Sequence, residues 1–186
     1  MDFIKEPMAI ENRSMELIAP HLEGLHLDER ATKLYSRLIH ASGDVGYAPI
    51  TRVHPEAIDR AIEALKAGAH IYTDVEMVRT GINKKKLASF GGEVHCLVAD
   101  PEVAARAKAE GITRSMVAMR QFGKALDGSI VAIGNAPTAL FEVLRLVREE
   151  GIRPACIVGI PVGFVGAAES KAALASHGIV PYITVE

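Results

Sequence analysis

Tryptophan is absent from this chain, cysteine occurs only twice, and aromatic residues make up 5% of its 186 positions. The two cysteines, Cys96 and Cys156, sit in strand-like apolar runs without C-x-x-C spacing, so the chain reads as cytoplasmic and reduced. No apolar run approaches the ~20 residues a membrane helix needs, and the start, MDFIKEP, lacks the apolar core of a secretory signal. An excess of charge of one sign is lacking too. A net charge of −2, from 21 Lys and Arg against 23 Asp and Glu, argues against a general nucleic-acid surface, because such binding rests on many cationic contacts to phosphate. Several motifs are missing: there is no H-E-x-x-H and no G-x-S-x-G, and the glycines after Ile160 fit neither G-x-G-x-x-G nor G-x-x-x-x-G-K-[ST]. The seven histidines offer no ligand spacing, since His21 and His26 point different ways on any regular element, and no metal ligand is assigned. Internal repeats, low-complexity tracts and linkers are likewise lacking.

What is present suits one soluble globular domain. Apolar residues at 49% and charged residues at 24% are ordinary values, and a chain of this length buries roughly 70% of its unfolded surface in a single core. Pro7 opens a first helix to about Ala19, where Pro20 ends it, with Met8, Ile10, Met15, Leu17 and Ile18 on one broad arc. His54-Pro55 starts another helix, running to Ala67 with Gly68 at its end, after a loop in which Pro49 discourages regular structure. Strands are read at Ala69–Thr73, Glu93–Ala99, Ser129–Gly134, Ala155–Ile160 and Ile179–Val185, alternating with helices. Asp100-Pro101, Thr113 and Pro137 mark three further helix starts. This alternation predicts an α/β fold, a single domain whose mostly parallel central sheet of about five strands carries helices on both faces. A pocket is then expected at the carboxyl ends of the strands, lined from 74–77, 134–138 and 159–164.

The stretch Lys33–Gly46 holds the most informative side chain. Ala31, Leu34, Tyr35, Leu38 and Ile39 form an apolar stripe at helical spacing, while Lys33, Arg37 and His40 share the opposite face as a basic ridge. Asp28 is the expected N-cap and Gly43 the residue past the end. His40 therefore lies in the last turn, where carbonyl groups and the helix dipole favour an imidazolium. A histidine on a polar helix face is also commonly just solvated. Ser14 would ordinarily bond back to the carbonyl four residues earlier, and Glu76, beyond a strand end beside Asp74, would serve equally well as a cap. Lys84, Lys85 and Lys86 read as a solvated helix face. Arg114, first in its helix, opposes the dipole unless an anion sits between it and the free N–H groups. The turn at Gly134 and Asn135 presents amides that suit a carboxylate or phosphate, or simply join a strand to its helix.

Several of these segments together resemble the precorrin-8X methylmutase family, also called precorrin isomerase, of cobalamin biosynthesis. The family's Arg-x-x-His helix is matched by Arg37 and His40. Its substrate-contacting serine is matched by Ser14, its Glu-Met pair by Glu76 and Met77, and its Thr-Arg-Ser by Thr113, Arg114 and Ser115. Gly134-Asn135-Ala136-Pro137-Thr138 is among the nearest matches, and the run through Pro161, Val162, Gly163 and Phe164 with Glu169-Ser170-Lys171 is similar again. The resemblance spans Pro7 to Val185.

It implies a homodimer that moves a methyl group from C11 to C12 of precorrin-8X or cobalt-precorrin-8, giving hydrogenobyrinate or its cobalt form. His40 would be acid and base, no cofactor would be required, and the remaining matched residues would hold a tetrapyrrole rich in carboxylates. Members usually continue past the last strand into a Gly- and Arg-containing segment and a closing helix. The expectation here is one precorrin isomerase-like domain over 1–186 without that piece, which touches on substrate closure and dimer packing. Two other readings stay open: a tetrapyrrole carrier without catalysis, and a Rossmann-like nucleotide-binding enzyme.

Overall fold

The computed structural model describes residues 3–186 and divides into two compact units, one ending at Thr51 and one running from Arg52 to Glu186. The N-terminal unit is helical: α1 (Pro7–Ile18), α2 (Glu29–Ser42) and the short α3 (Tyr47–Ile50). Helix α1 starts at Pro7 as expected, and its free amides are met by Glu6, whose carboxylate accepts from Met8 N at 2.9 Å. Asp28 caps α2 by accepting from Ala31 N at 2.7 Å, and Gly43 ends it in the left-handed region at φ 68°, its N–H donating to the Ile39 carbonyl. The apolar stripe of α2 buries Tyr35 and Ile39. On α1 only Ile18 is buried, while Met8, Ile10 and Leu17 of the expected arc stand exposed.

The second unit carries the sheet. Its strands are β1 (Thr51–Val53), β2 (Ile71–Thr73), β3 (Val94–His95), β4 (Ile130–Ile133), β5 (Cys156–Gly159) and β6 (Tyr182–Val185). Helices α4 (Ala57–Lys66), α5 (Glu76–Gly81), α6 (Lys84–Ala88), α7 (Pro101–Glu110), α8 (Arg114–Phe122), α9 (Pro137–Glu149) and α10 (Ala167–His177) alternate with them. The spatial order is β1-β6-β5-β4-β2-β3, and the pairings of β2 with β3 and β4, and of β5 with β4 and β6, are parallel. The α/β class and mostly parallel sheet are as expected, with six strands in place of five.

The extra strand is β1, three residues at the sheet edge where Pro49 had suggested a loop; a strand this short carries almost no periodicity. Strand β3 is shorter than the apolar run Glu93–Ala99 because Leu97 leaves the ladder to pack against Val103, Ala107, Val117 and Ala118 of α7 and α8. Likewise β6 starts at Tyr182, since Pro181 has no N–H to donate, and Val180 enters the core. That core is centred on Val131, Ile133 and Ile157 of the sheet and on Leu140, Val143, Leu146 and Leu174 of α9 and α10. Burial of this kind stabilises by about 1.5–3 kcal/mol per large aliphatic side chain.

One carboxylate is buried inside this helical layer. Glu142 is 2% exposed and takes a forked pair of bonds from Arg120 of α8, at 2.8 and 3.1 Å, with Arg145 Nε adding a third at 2.8 Å. Burial by itself would raise the Glu142 carboxyl, but the two guanidinium groups outweigh it and hold it below the ordinary glutamate range. His177, in the last turn of α10, is the opposite case. Both ring nitrogens are enclosed without a hydrogen-bond partner, and burial, then the charges of Arg148 and Arg153, push its pKa down.

A sign follows for His177. The folded ring stays neutral where the unfolded chain takes up a proton, near pH 6.5, so its contribution is complete above that value and is lost as pH falls below it. We expect His177→Leu to show a smaller fall in Tm between about pH 7.5 and about pH 5 than the parent. Identical falls in the two proteins, measured by thermal scans in matched buffers, would remove His177 from the acid response.

Candidate active site

The chain runs β2 to β3 towards one edge of the sheet and β4, β5, β6 towards the other, so the order reverses between β2 and β4. Ligands of open α/β sheets bind at such a reversal, beyond the carboxyl ends of the strands. Here that position is held by Asp74, fully buried at the end of β2. Its carboxylate accepts from Gly134 N at 3.1 Å, Asn135 N at 2.9 Å and Ala136 N at 2.6 Å. The amides read from sequence as a seat for a substrate carboxylate or phosphate are therefore already occupied by the protein's own anion. A nucleotide phosphate loses its cradle at this turn for the same reason. Gly134 is required by packing: a Cβ there would lie 2.6 Å from Val78 Cγ2.

Neighbouring loops are tied to this centre. Buried Ser115 donates to the Asp74 carbonyl at 3.4 Å, so its hydroxyl faces the scaffold. Thr138 in the first turn of α9 shares a hydrogen bond of 2.8 Å with Thr113, the N-cap of α8. The loop after β5 is attached through Ile160 N to Ile133 O at 2.8 Å and Val162 N to Asn135 O at 3.3 Å. Ser115, Gly134, Asn135, Pro137, Thr138, Pro161 and Val162 thus lie in segments tied to one rim. Arg114 follows Thr113 on that rim, is exposed, and has no ion pair among the described residues. Glu76 accepts from Arg79 Nε at 2.6 Å, a bond that lowers its carboxyl pKa, while Met77 is 67% exposed. Pro161 is buried, but Val162, Gly163 and Phe164 lie on the surface, Phe164 without any cover.

Ser14, Arg37 and His40 belong to the N-terminal unit. Ser14 and His40 line one cavity of about 210 Å³ with Leu17, Ile18, Ile39, Gly43 and Val45. The Ser14 hydroxyl donates to the Ile10 carbonyl at 2.8 Å, the local bond anticipated for it. The half-buried His40 ring has no hydrogen-bond partner among the described residues. The basic ridge is modified: Arg37 pairs with Glu11 at 2.8 Å and Lys33 with Glu29 at 2.6 Å, and both cations line a separate cavity of about 670 Å³ that includes Glu11, Met15 and Leu22. A third cavity, about 410 Å³, lies between α10 and β6. None of the residues lining these three cavities comes from the strand-end segments 74–77, 134–138 and 159–164, where a pocket had been expected.

The family model described as precorrin-8X methylmutase matches residues 9–186. The chain belongs to the precorrin-8X methylmutase family. These proteins are isomerases of cobalamin biosynthesis. A relative named precorrin-8X methylmutase from Sinorhizobium sp is 43% identical over 185 residues, 99% of this chain and 88% of that protein. Another, named cobalt-precorrin-8 methylmutase, from Leptospira interrogans, is 42% identical over 164 residues, covering 87% of this chain and 74% of that one. Among solved structures, precorrin-8X methylmutase from Thermus thermophilus superposes with a TM-score of 0.87 at 39% identity, covering 96% of this chain and 86% of its own.

The structural role of Asp74 gives a first test within this family framework. Asp74→Ala would leave three amides without their charged acceptor, a loss of roughly 3 kcal/mol or more. Chemical denaturation should show the drop as an earlier midpoint with an unchanged slope; an unmoved midpoint would mean the amides find water or another acceptor.

Proposed function

We propose that this family member moves the methyl group of a corrin precursor, precorrin-8X or cobalt-precorrin-8, from C11 to C12, with His40 as the proton donor and acceptor. The carrying observation is an imidazole without a hydrogen-bond partner among the described residues, in the last turn of α2, on the wall of a cavity it shares with Ser14. A ring nitrogen already bonded to the protein would have to break that bond before giving its proton to a ligand, and among the described residues neither nitrogen of His40 is held in this way. Protonating a ring nitrogen of the macrocycle draws electron density from the conjugated system; the methyl group then shifts between adjacent carbons, conjugation is restored, and the proton returns to the imidazole. Atoms and electrons balance within one molecule, so the chemistry needs no cofactor.

The substrate's carboxylates are met by cations in this reading. Arg114 is free to pair, and Arg37 exchanges Glu11 for a substrate carboxylate, which costs little because an exposed ion pair is worth about 0–1 kcal/mol. Ser14, Glu76, Met77, Ser115 and the residues of 134–138 and 161–164 complete the proposed contacts. Residues 1–186 act as one precorrin isomerase-like domain. A homodimer is supported by Met8, Ile10 and Leu17, which α1 leaves exposed on an apolar face. No helix among the described residues is long and apolar enough to cross a membrane, which agrees with work in the cytoplasm.

His40→Ala should abolish single-turnover conversion, followed by the visible spectrum of the corrinoid, while still binding the tetrapyrrole with at most a modest loss of affinity. His21→Ala, an exposed histidine, should convert at the parent rate. Conversion by His40→Ala at a rate close to the parent's would require another donor. Arg37→Ala and Arg114→Ala should weaken product binding, and by more at low salt than at high, because screening already reduces an exposed charged contact. Equal affinities of parent and variants at low ionic strength would take these arginines out of the binding site.

A further inference from the structure

A second cluster of chemistry lies at the other end of the same strands. His70 and Glu93 immediately precede β2 and β3, and the parallel register sets Ile71 against Val94 and Tyr72 against His95. Side chains alternate along a strand, so His70 and Tyr72 share one face with Glu93 and His95. The rings meet there: His95 Nε2 lies 3.3 Å from His70 Nδ1, and Glu93 Oε2 lies 4.0 Å from His95 Nε2. One ligand atom from each of the three residues falls within 4.8 Å of the others.

These distances suit a metal ion as well as they suit a hydrogen bond. Two nitrogen ligands at about 2.0–2.1 Å from a tetrahedral ion are themselves roughly 3.4 Å apart, close to the 3.3 Å observed. The carboxylate needs only a small rotation to close the third side, and Glu93 is free to make it with 73% of its side chain exposed. The rings are also held in place. Tyr72 stacks on His95 with centroids 5.0 Å apart and 23° between planes, and Phe122 braces Tyr72 edge-on at 4.7 Å. His70 Nδ1 accepts from Glu93 N at 3.1 Å, so that nitrogen carries no proton and presents a lone pair.

We propose that His70, Glu93 and His95 bind one divalent transition-metal ion of the Zn²⁺ or Co²⁺ class, with a fourth position left to water. Imidazole with a carboxylate selects such ions over Mg²⁺ or Ca²⁺, which prefer all-oxygen sites. On binding, the ion takes the lone pairs of His70 Nδ1 and His95 Nε2, and the proton of neutral His95 moves to Nδ1. The bond from Glu93 N to His70 Nδ1 is exchanged for the metal bond, and no net charge leaves the protein. The ion's effect is structural. Strand β3 is a two-residue edge strand, and a metal shared between its flanking side chains and His70 clips it to β2.

Untagged protein stripped with chelator and free of tetrapyrrole tests this directly. Titration with Zn²⁺ by calorimetry should give one ion per chain and a higher Tm, and Co²⁺ should develop the visible ligand-field absorption of a four-coordinate site. Glu93→Gln, an exposed change, should weaken Zn²⁺ binding by about tenfold or more, and His95→Gln should abolish the Co²⁺ band. Absence of stoichiometric binding by the parent would overturn the proposal. So would an affinity or Co²⁺ spectrum left unchanged in both variants, which would assign the ion to other histidines such as His21 and His26.

Discussion

The carboxylate of Asp74 is the point on which the strand-end architecture turns. Three consecutive amides, on Gly134, Asn135 and Ala136, converge on it from the tight turn between β4 and α9. A buried anion is stable only when its lone pairs are taken up, and a set of buried amides only when it has an acceptor, so each satisfies the other's need. Because Asp74 ends β2 and the amides end β4, this one contact closes the sheet where its strand order reverses. Ser115 anchors to the Asp74 carbonyl, and Thr113 to Thr138, which adds the start of α8 to the same joint. The turn amides are consequently taken up by the protein's own carboxylate, and Arg114 projects exposed from the same rim.

Charge is used in two different ways in this chain. The Glu142 carboxylate is buried and held by a forked pair from Arg120 of α8 and by Arg145 of α9; removing Arg120 would strand that charge in a poor solvent, so the arrangement ties the packing of those helices. The pairs of Arg37 with Glu11 and Lys33 with Glu29 are exposed and worth little in water. Little is lost when such a cation changes partner. A permanent scaffold and an exchangeable set of cations thus arise from the same residue types through burial alone.

Features that depend on near neighbours in the chain were legible in the sequence. Asp28, Thr113, Pro137 and Gly43 act over a single helical turn, and each stands where local chemistry put it. The spacing around Tyr35 and Ile39 likewise identified the buried face of α2. Features that depend on distant pairing were not. Nothing near Asp74 announces that its partners lie 60 residues on, and the same turn chemistry fits an external anion equally well. Strand β1 is too short for alternation to register, and the apolar run after β3 is used by helices. His70 and Glu93-x-His95 carry a readable signal, alternate ligand-type residues at the starts of two strands, but it becomes a cluster only once β2 and β3 are known to pair in that register.

The surroundings of the seven histidines bear on the proposal that His40 carries the proton. His54 accepts from Glu56 N at 3.2 Å, His70 and His95 are bound to each other, and His177 is enclosed where a proton cannot be hydrated. In His54, His70 and His95 one ring nitrogen is engaged within the protein, and a proton on His177 would bring a charge into a dry site. That leaves His21, His26 and His40. His21 is exposed and His26 lies in a left-handed turn at φ 50°, neither of them within a regular α-helix. His40 stands in the last turn of a helix capped at both ends, beside a cavity, with both nitrogens unengaged among the described residues. An acid that must give and recover a proton in one reaction needs a fixed position and a ring nitrogen free to reach the reacting atom. His26 also lines a cavity but lies outside the helices, whereas His40 pairs a helical backbone with a place on a cavity wall.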